Sequence, residues 1–196
     1  MPELLVLASA SPRRRDLLER IGLMLEVVPA DVDETALPGE APDAYVSRIS
    51  ASKAAAVARR DRWVLAADTT VTIDGAILAK AESPEEAAHM LRMLSGRTHQ
   101  VLTSFVMSRG SVTRAQIVST DVTMVELDAA TIDDYVASNE WRGKAGAYAL
   151  QGIAASLVRS ISGSVTNVIG LPVAEVVAML REVGGPLPRF VAGIPV

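Results

Sequence analysis

The chain has 196 residues, 49% of them apolar but only two Trp, three Tyr and two Phe, so Ala, Val, Leu and Ile must build one sizeable core. Nineteen basic against 23 acidic side chains leave a formal charge of −4, which argues against a broad nucleic-acid footprint but not against a small basic pocket. Cysteine is absent, excluding disulfides, thiolate metal sites and cysteine nucleophiles, and no stretch has the length of a bilayer span or the form of a secretory signal, so a soluble cytoplasmic protein is expected.

The first informative stretch is LLVLASASPRRRDLLERIG, Leu4 to Gly22. Its apolar opening predicts a buried strand, and Ser11 followed by Pro12 predicts a helix capped at Ser11 and stopped at Gly22. Arg13, Arg14 and Arg15 crowd the first turn, where the helix dipole favours acidic groups. Two readings follow: an anion binds there among serine hydroxyls and arginines, or the arginines splay into solvent. Leu25 to Val28 reads as a second strand, and the loop after it holds Asp31, Asp33 and Glu34.

A helix is predicted from Pro42 to about Arg60, with Tyr45, Ile49 and Ala56 on its apolar face. Lys53 shares that face through Ile49, and either snorkels out or points into a site. Trp63 to Ala67 predicts a strand ending at Asp68, and TTVTIDGAILAK a hairpin about Asp74-Gly75. Its two ends would meet, putting Asp68 and Lys80 within reach of one pocket. Ser83-Pro84-Glu85-Glu86 is a capping box opening a helix to about Leu94. Thr98–Ser108 and Gln116–Leu127 predict a second hairpin about an Arg109-Gly110-Ser111 turn, followed by a helix over Ala129–Ala137 capped by Asp128 or Thr131. NEWRGKAGAYALQG, with three glycines and Lys144, predicts a backbone wrapped closely around something. A last strand is expected over Leu157–Ile161 and a last helix from Pro172 to about Val183. Loosely alternating strands and helices with two inserted hairpins predict an α/β fold with a mixed sheet.

The polar residues at strand ends and in loops form a cationic set, Arg13, Lys53, Lys80 and Lys144, and an anionic set, Asp33, Glu34 and Asp68. Such a mixture suits a phosphoanhydride arriving with a divalent cation: carboxylates hold the metal or a water, and the cations neutralise phosphate oxygens. Asp68, read as a single carboxylate at the C-terminal end of an apolar strand, is the preferred base, the alternative being a turn residue that caps a backbone N–H. His89 and His99 lack a partner at metal-ligand spacing. Walker, dinucleotide-turn and nucleophile-elbow patterns are absent from the sequence.

LASASPRR (Leu7–Arg14), AADTTV (Ala66–Val71), LSGRTHQVLTS (Leu94–Ser104), KAGAYALQG (Lys144–Gly152) and NVIGLP (Asn167–Pro172) together resemble the Maf family of nucleoside triphosphate pyrophosphatases. The resemblance runs in order from about Leu4 to Leu180. It implies an elongated mixed β-sheet flanked by helices, like that of the inosine-triphosphate pyrophosphatases, in one domain over 1–183 with a Gly/Pro-rich tail over 184–196. It implies cleavage between the α and β phosphates, a divalent metal (Mg2+ or Mn2+), a nucleoside triphosphate as partner rather than nucleic acid or membrane, and a homodimer. Matched by position, Asp68, Lys53 and Lys80 would be catalytic. Ser11, Arg13, Arg14, Thr69, Lys144 and Gln151 would bind substrate, and Glu34 and Asp68 the metal. Arg13, Thr69 and Gln151 match the positions that separate the branch acting on dTTP and UTP from the branch acting on methylated guanine nucleotides, and AYALQG, with Gln151, resembles the dTTP and UTP branch. Two positions depart from the family: Ala81 follows Lys80 where proline is usual, and Val165 replaces a larger residue. The rival expectation is a nucleotide-binding regulator of cell division with little turnover.

Overall fold

A computed structural model describes residues 3–188. Its centre is a seven-stranded mixed sheet. Strands β1 (Leu5–Leu7), β2 (Leu25–Val27), β3 (Val64–Ile73), β4 (Ala76–Leu78), β5 (Thr98–Arg109), β6 (Val112–Met124) and β7 (Val158–Ser162) lie in the order β2-β1-β3-β5-β6-β7, with β4 paired to β3. The β1 pairings with β2 and β3 are parallel; the β3, β4, β5, β6 and β7 pairings are antiparallel. The helices are α1 (Pro12–Arg20), α2 (Pro42–Ala56), α3 (Pro84–Leu94), α4 (Ala129–Ala137), α5 (Val165–Ile169) and α6 (Val173–Glu182). The fold is mixed α/β, as expected.

Local chemistry sets most element boundaries. Ser11 Oγ accepts from Arg14 N–H with Pro12 in the first turn, Ser83 Oγ from Glu86 N–H, and Asp128 Oδ1 from Thr131 N–H. Asp74 and Gly75, at φ 51° and 78°, make the turn that the Asp-Gly pair requires. Two helix details differ from expectation. α2 ends at Ala56, with Ala58 N–H turning back to Ala55 O, and Ala56 is exposed; the buried stripe runs through Tyr45, Ile49, Lys53 and Val57. A short helix, α5, follows the Ser162-Gly163-Ser164 turn, capped by Ser164 Oγ.

β3 carries the larger surprise. It runs on to Ile73 rather than stopping at Asp68, because β5 pairs with it continuously from Val64 to Thr72. On its other edge β3 meets β1 only at Val64 and Leu65, and β4 only at Val71, Thr72 and Ile73. Asp68 therefore lies in mid-strand, inside a gap that two short neighbours leave along one edge.

Alternation along the strands splits the core between faces. Val6, Val64, Ala66 and Val106 pack under α2 with Ala54 and Val57. Leu5, Leu7, Leu65, Ala67, Phe105 and Met107 pack on the other side with Leu18 of α1 and Val176 and Leu180 of α6. Further along that side, Val71, Ile73, Val101 and Val122 join Leu91 and Leu94 of α3 and Ile132 and Tyr135 of α4. Between these last two clusters the sheet presents Thr69 and Thr103, hydrogen-bonded to each other at 2.9 Å. Of the expected tail, Gly185 N–H donates to Leu180 O at 2.8 Å; residues 189–196 lie outside the described residues.

Candidate active site

The gap along β3 opens into a cavity of about 420 Å3. Because neighbouring residues of a strand face opposite ways, the cavity wraps around the free edge and meets Asp68 on one side and Thr69 on the other. Ser11, Arg13, Arg14, Glu34, Lys53, Asp68, Thr69, Lys80 and Lys144 all line it. Gln151 does not: it is exposed at the tip of a turn beyond Lys144. Asp33 stays outside as well, accepting Thr35 N–H at 2.8 Å.

Lys53 is the hinge of the polar network. Its Nζ lies 2.7 Å from Asp68 Oδ1 and 2.6 Å from Glu34 Oε1, while Lys80 Nζ lies 2.8 Å from Glu34 Oε2. Lys53 and Asp68 are both buried, so an unpaired charge at either would be costly. Partial burial pushes the Glu34 carboxyl upward, but hydrogen bonds from Lys53 and Lys80 outweigh it and hold the group down at about 2. The loop bearing Glu34 is pinned to α2: Tyr45 Oη donates to Glu34 O at 3.0 Å, and Arg48 grips Glu40 with two bonds of 2.6 Å and Thr35 O with one of 3.0 Å. Asp68 Oδ2, in contrast, takes no protein donor among the described residues and is not sealed from solvent.

The three consecutive arginines have three different fates. Arg15 pairs with Glu19 in the open, one helical turn on. Arg14 is buried, and its guanidinium donates to Gly170 O at 2.8 Å, Ser9 Oγ at 3.1 Å and Thr69 Oγ1 at 3.0 Å. Arg13 faces the cavity; burial lowers its pKa. Lys144 is reached from the opposite side, where Lys80 makes an isolated bridge with Ala145 and Gly146 N–H donates to Leu78 O at 2.9 Å. The departure at Ala81 leaves this junction intact: Ala81 is buried beside it.

Arg142 and Tyr148 also line the cavity, and sequence reasoning missed both. The guanidinium of Arg142 lies 4.6 Å from the Trp141 ring and donates to Asn139 Oδ1 at 3.0 Å. The signal available was its place in the same glycine-rich run as Lys144. Six cations and two carboxylates thus share one cavity. That balance favours a polyanion.

The mixed sheet that carries this cleft has the α/β fold of HAM1 proteins. The solved structure of a HAM1 protein from Coxiella burnetii superposes with a TM-score of 0.51 over 92% of this chain and 99% of that one, at 15% identity, a likeness of fold. Within that architecture the chain is a member of the Maf family, whose model, described as Maf-like protein, matches residues 4–183. Similar relatives include the dTTP/UTP pyrophosphatase of Anaeromyxobacter dehalogenans, 50% identical over 94% of this chain and 96% of its own length. The dTTP/UTP pyrophosphatases of Zymomonas mobilis and Myxococcus xanthus are each 48% identical, over 95% and 94% of this chain and 95% of their own lengths.

Proposed function

We propose that this chain is a nucleoside triphosphate pyrophosphatase that hydrolyses dTTP and UTP to the nucleoside monophosphate and pyrophosphate. The observation that carries the reading is the gathering of Arg13, Lys53, Lys80, Arg142 and Lys144 around Asp68 and Glu34 in a single cavity. The relatives' names supply the base preference.

Hydrolysis requires a water, a base for its proton and cover for the charge on the leaving group. Asp68 is the base: Lys53 holds Oδ1 and so sets the carboxylate's orientation, leaving Oδ2 to take the proton as the water oxygen bonds to the α-phosphorus. The bond from that phosphorus to the αβ-bridging oxygen breaks, and pyrophosphate leaves with the electron pair. Arg13, Lys80 and Lys144 neutralise phosphate oxygens, Ser11 donates to them, and Thr69, held by Arg14, lines the wall beside them.

The donor set fits a divalent metal of the Mg2+ or Mn2+ type. Glu34 and Asp68 offer hard oxygen ligands, and among the described residues no group of three or more His, Cys, Asp or Glu forms a closed cage. Two carboxylates completed by substrate phosphates and water is how such ions are commonly held. When bound, the metal would supply further neutralisation of phosphate charge. In this reading residues 1–183 form the catalytic domain and 184–196 a tail, Gln151 reads the base, and the enzyme works as a homodimer in the cytoplasm, where nucleotides are handled.

The test is a panel of dTTP, UTP, CTP and methylated GTP with Mg2+ or Mn2+, assayed for pyrophosphate. Release is expected with dTTP and UTP foremost, and Asp68→Asn should abolish it while nucleotide still binds. Nucleotide binding without release in the unaltered protein would sink the enzyme reading in favour of a regulator.

A further inference from the structure

Gln151 stands in an exposed turn that hydrogen bonds fasten to the fold at both ends. Gly152 N–H donates back to Ala149 O at 3.1 Å, so Gln151 is the third residue of a four-residue turn. Both ends of that turn are fastened to the same piece of structure. Ala149 N–H donates to Tyr135 Oη on α4 at 3.3 Å, and Ile153 N–H donates to Glu140 Oε2, just past the end of α4, at 2.8 Å.

Glu140 is itself held in place. Asn139 before it takes a left-handed φ of 62° and its side-chain amide donates to Ala137 O; Glu140 N–H donates to Ser138 Oγ at 3.2 Å. Trp141 after it is 1% exposed and its indole N–H donates to Val136 O at 3.0 Å. The carboxylate pairs with no Lys or Arg among the described residues. It lies so close against Gly152 that a Cβ there would come within 2.2 Å of Oε2.

From this geometry we infer that Glu140 is a positioning residue for base selection: by fastening Ile153 and abutting Gly152 it holds the Gln151 turn in the one placement that lets glutamine tell uracil or thymine from cytosine. The inference rests on the reading of Gln151 as the residue that meets the base. Uracil and thymine present a ring N–H donor beside a carbonyl acceptor, whereas cytosine presents the reverse. A carboxamide carries both a donor and an acceptor and can satisfy either edge if it is free to move. The placement of the backbone beneath it sets how far, and from which direction, that carboxamide reaches the base. A catalytic role for Glu140 is not required, since it does not line the cavity.

The experiment compares kcat and KM for dTTP and dCTP in wild type, Glu140→Ala, Glu140→Gln, Gly152→Ala and Gln151→Ala. Glu140→Ala should lower the dTTP-over-dCTP ratio of kcat/KM about tenfold, mainly through KM for dTTP, with kcat retained. Glu140→Gln keeps an oxygen to accept Ile153 N–H and should stay within about twofold of wild type, which separates positioning from charge. Gly152→Ala keeps Glu140 but displaces its carboxylate, and should reproduce Glu140→Ala. Adding Gln151→Ala to Glu140→Ala should cost no further selectivity. An equal fall on both nucleotides with the ratio intact would overturn the inference, as would failure of Glu140→Gln to rescue the ratio. If Gln151→Ala shifts the ratio and Glu140→Ala does not, the positioning role alone fails. If Gln151→Ala leaves the ratio unaltered, the reading of Gln151 itself fails, and the inference with it.

Discussion

Replacing Lys53 by methionine keeps most of the aliphatic stem and removes the ammonium that lies 2.7 Å from Asp68 Oδ1 and 2.6 Å from Glu34 Oε1. The side chains of Lys53 and Asp68 are 8% and 9% exposed, so Asp68 is left buried beside an apolar group. Removing one partner of a buried pair costs about 3–5 kcal/mol. Glu34 is 34% exposed and keeps Lys80, so water and salt screen its share to less than about 1 kcal/mol. Methionine regains about 1 kcal/mol through apolar burial, leaving a net loss of about 3 kcal/mol, or a fall in Tm of about 6–12 °C for a chain of this size. Urea unfolding at pH 7 measures it. Asp68→Asn added to Lys53→Met should recover more than half of the loss, because an amide needs no counter-charge; pyrophosphate release should be lost in both variants. A loss under about 1 kcal/mol in Lys53→Met, or no recovery in the double variant, would refute the reasoning.

Arg14→Lys keeps the charge but cannot span Ser9, Thr69 and Gly170 with one planar fork, so kcat/KM should fall about 10–100-fold with a loss of about 2 kcal/mol, read by steady-state assay and urea unfolding. Arg142→Ala should raise KM for dTTP several-fold and flatten its dependence on salt, with kcat little altered, as expected of an exposed cation lining a polyanion site. His99 is 2% exposed, and burial lowers its pKa from 6.5 to about 4. The unfolded chain therefore takes up the proton first, and the resulting stability is fully present above pH 6.5 and lost as pH falls from there toward 4. Between pH 7 and 5 the loss from this group is about 2 kcal/mol. Urea midpoints at the two pH values should differ by more in wild type than in His99→Gln; equal differences would exclude His99 as the source.

Elements set by neighbouring residues could be read directly. The Ser11, Ser83 and Asp128 caps and the Asp74-Gly75 turn each involve partners within four residues, and each forms as the local chemistry requires. The residues gathered around Asp68 were legible from their types, a cationic set beside a few carboxylates, and from the family motifs that carry them. Hydrophobic periodicity was a weaker guide to their surroundings: it gave no sign that Tyr148 bonds His99 at 2.8 Å beneath the loop, or that Arg142 turns toward the cavity.

What the amino-acid order determined alone was most of the strands, helices and turns, though not the ends of β3 and α2 or the existence of α5, together with the inventory of charges, because these follow from backbone preference, capping and side-chain type over a few residues. Tertiary structure decided where those charges meet. Asp68 stands at an opening only because β1 and β4 both fall short of it along β3, and the three arginines part company only because α5 and Gly170 pack against α1. Both outcomes depend on pairing register and contacts between residues up to 156 positions apart in the chain, and no local rule encodes them.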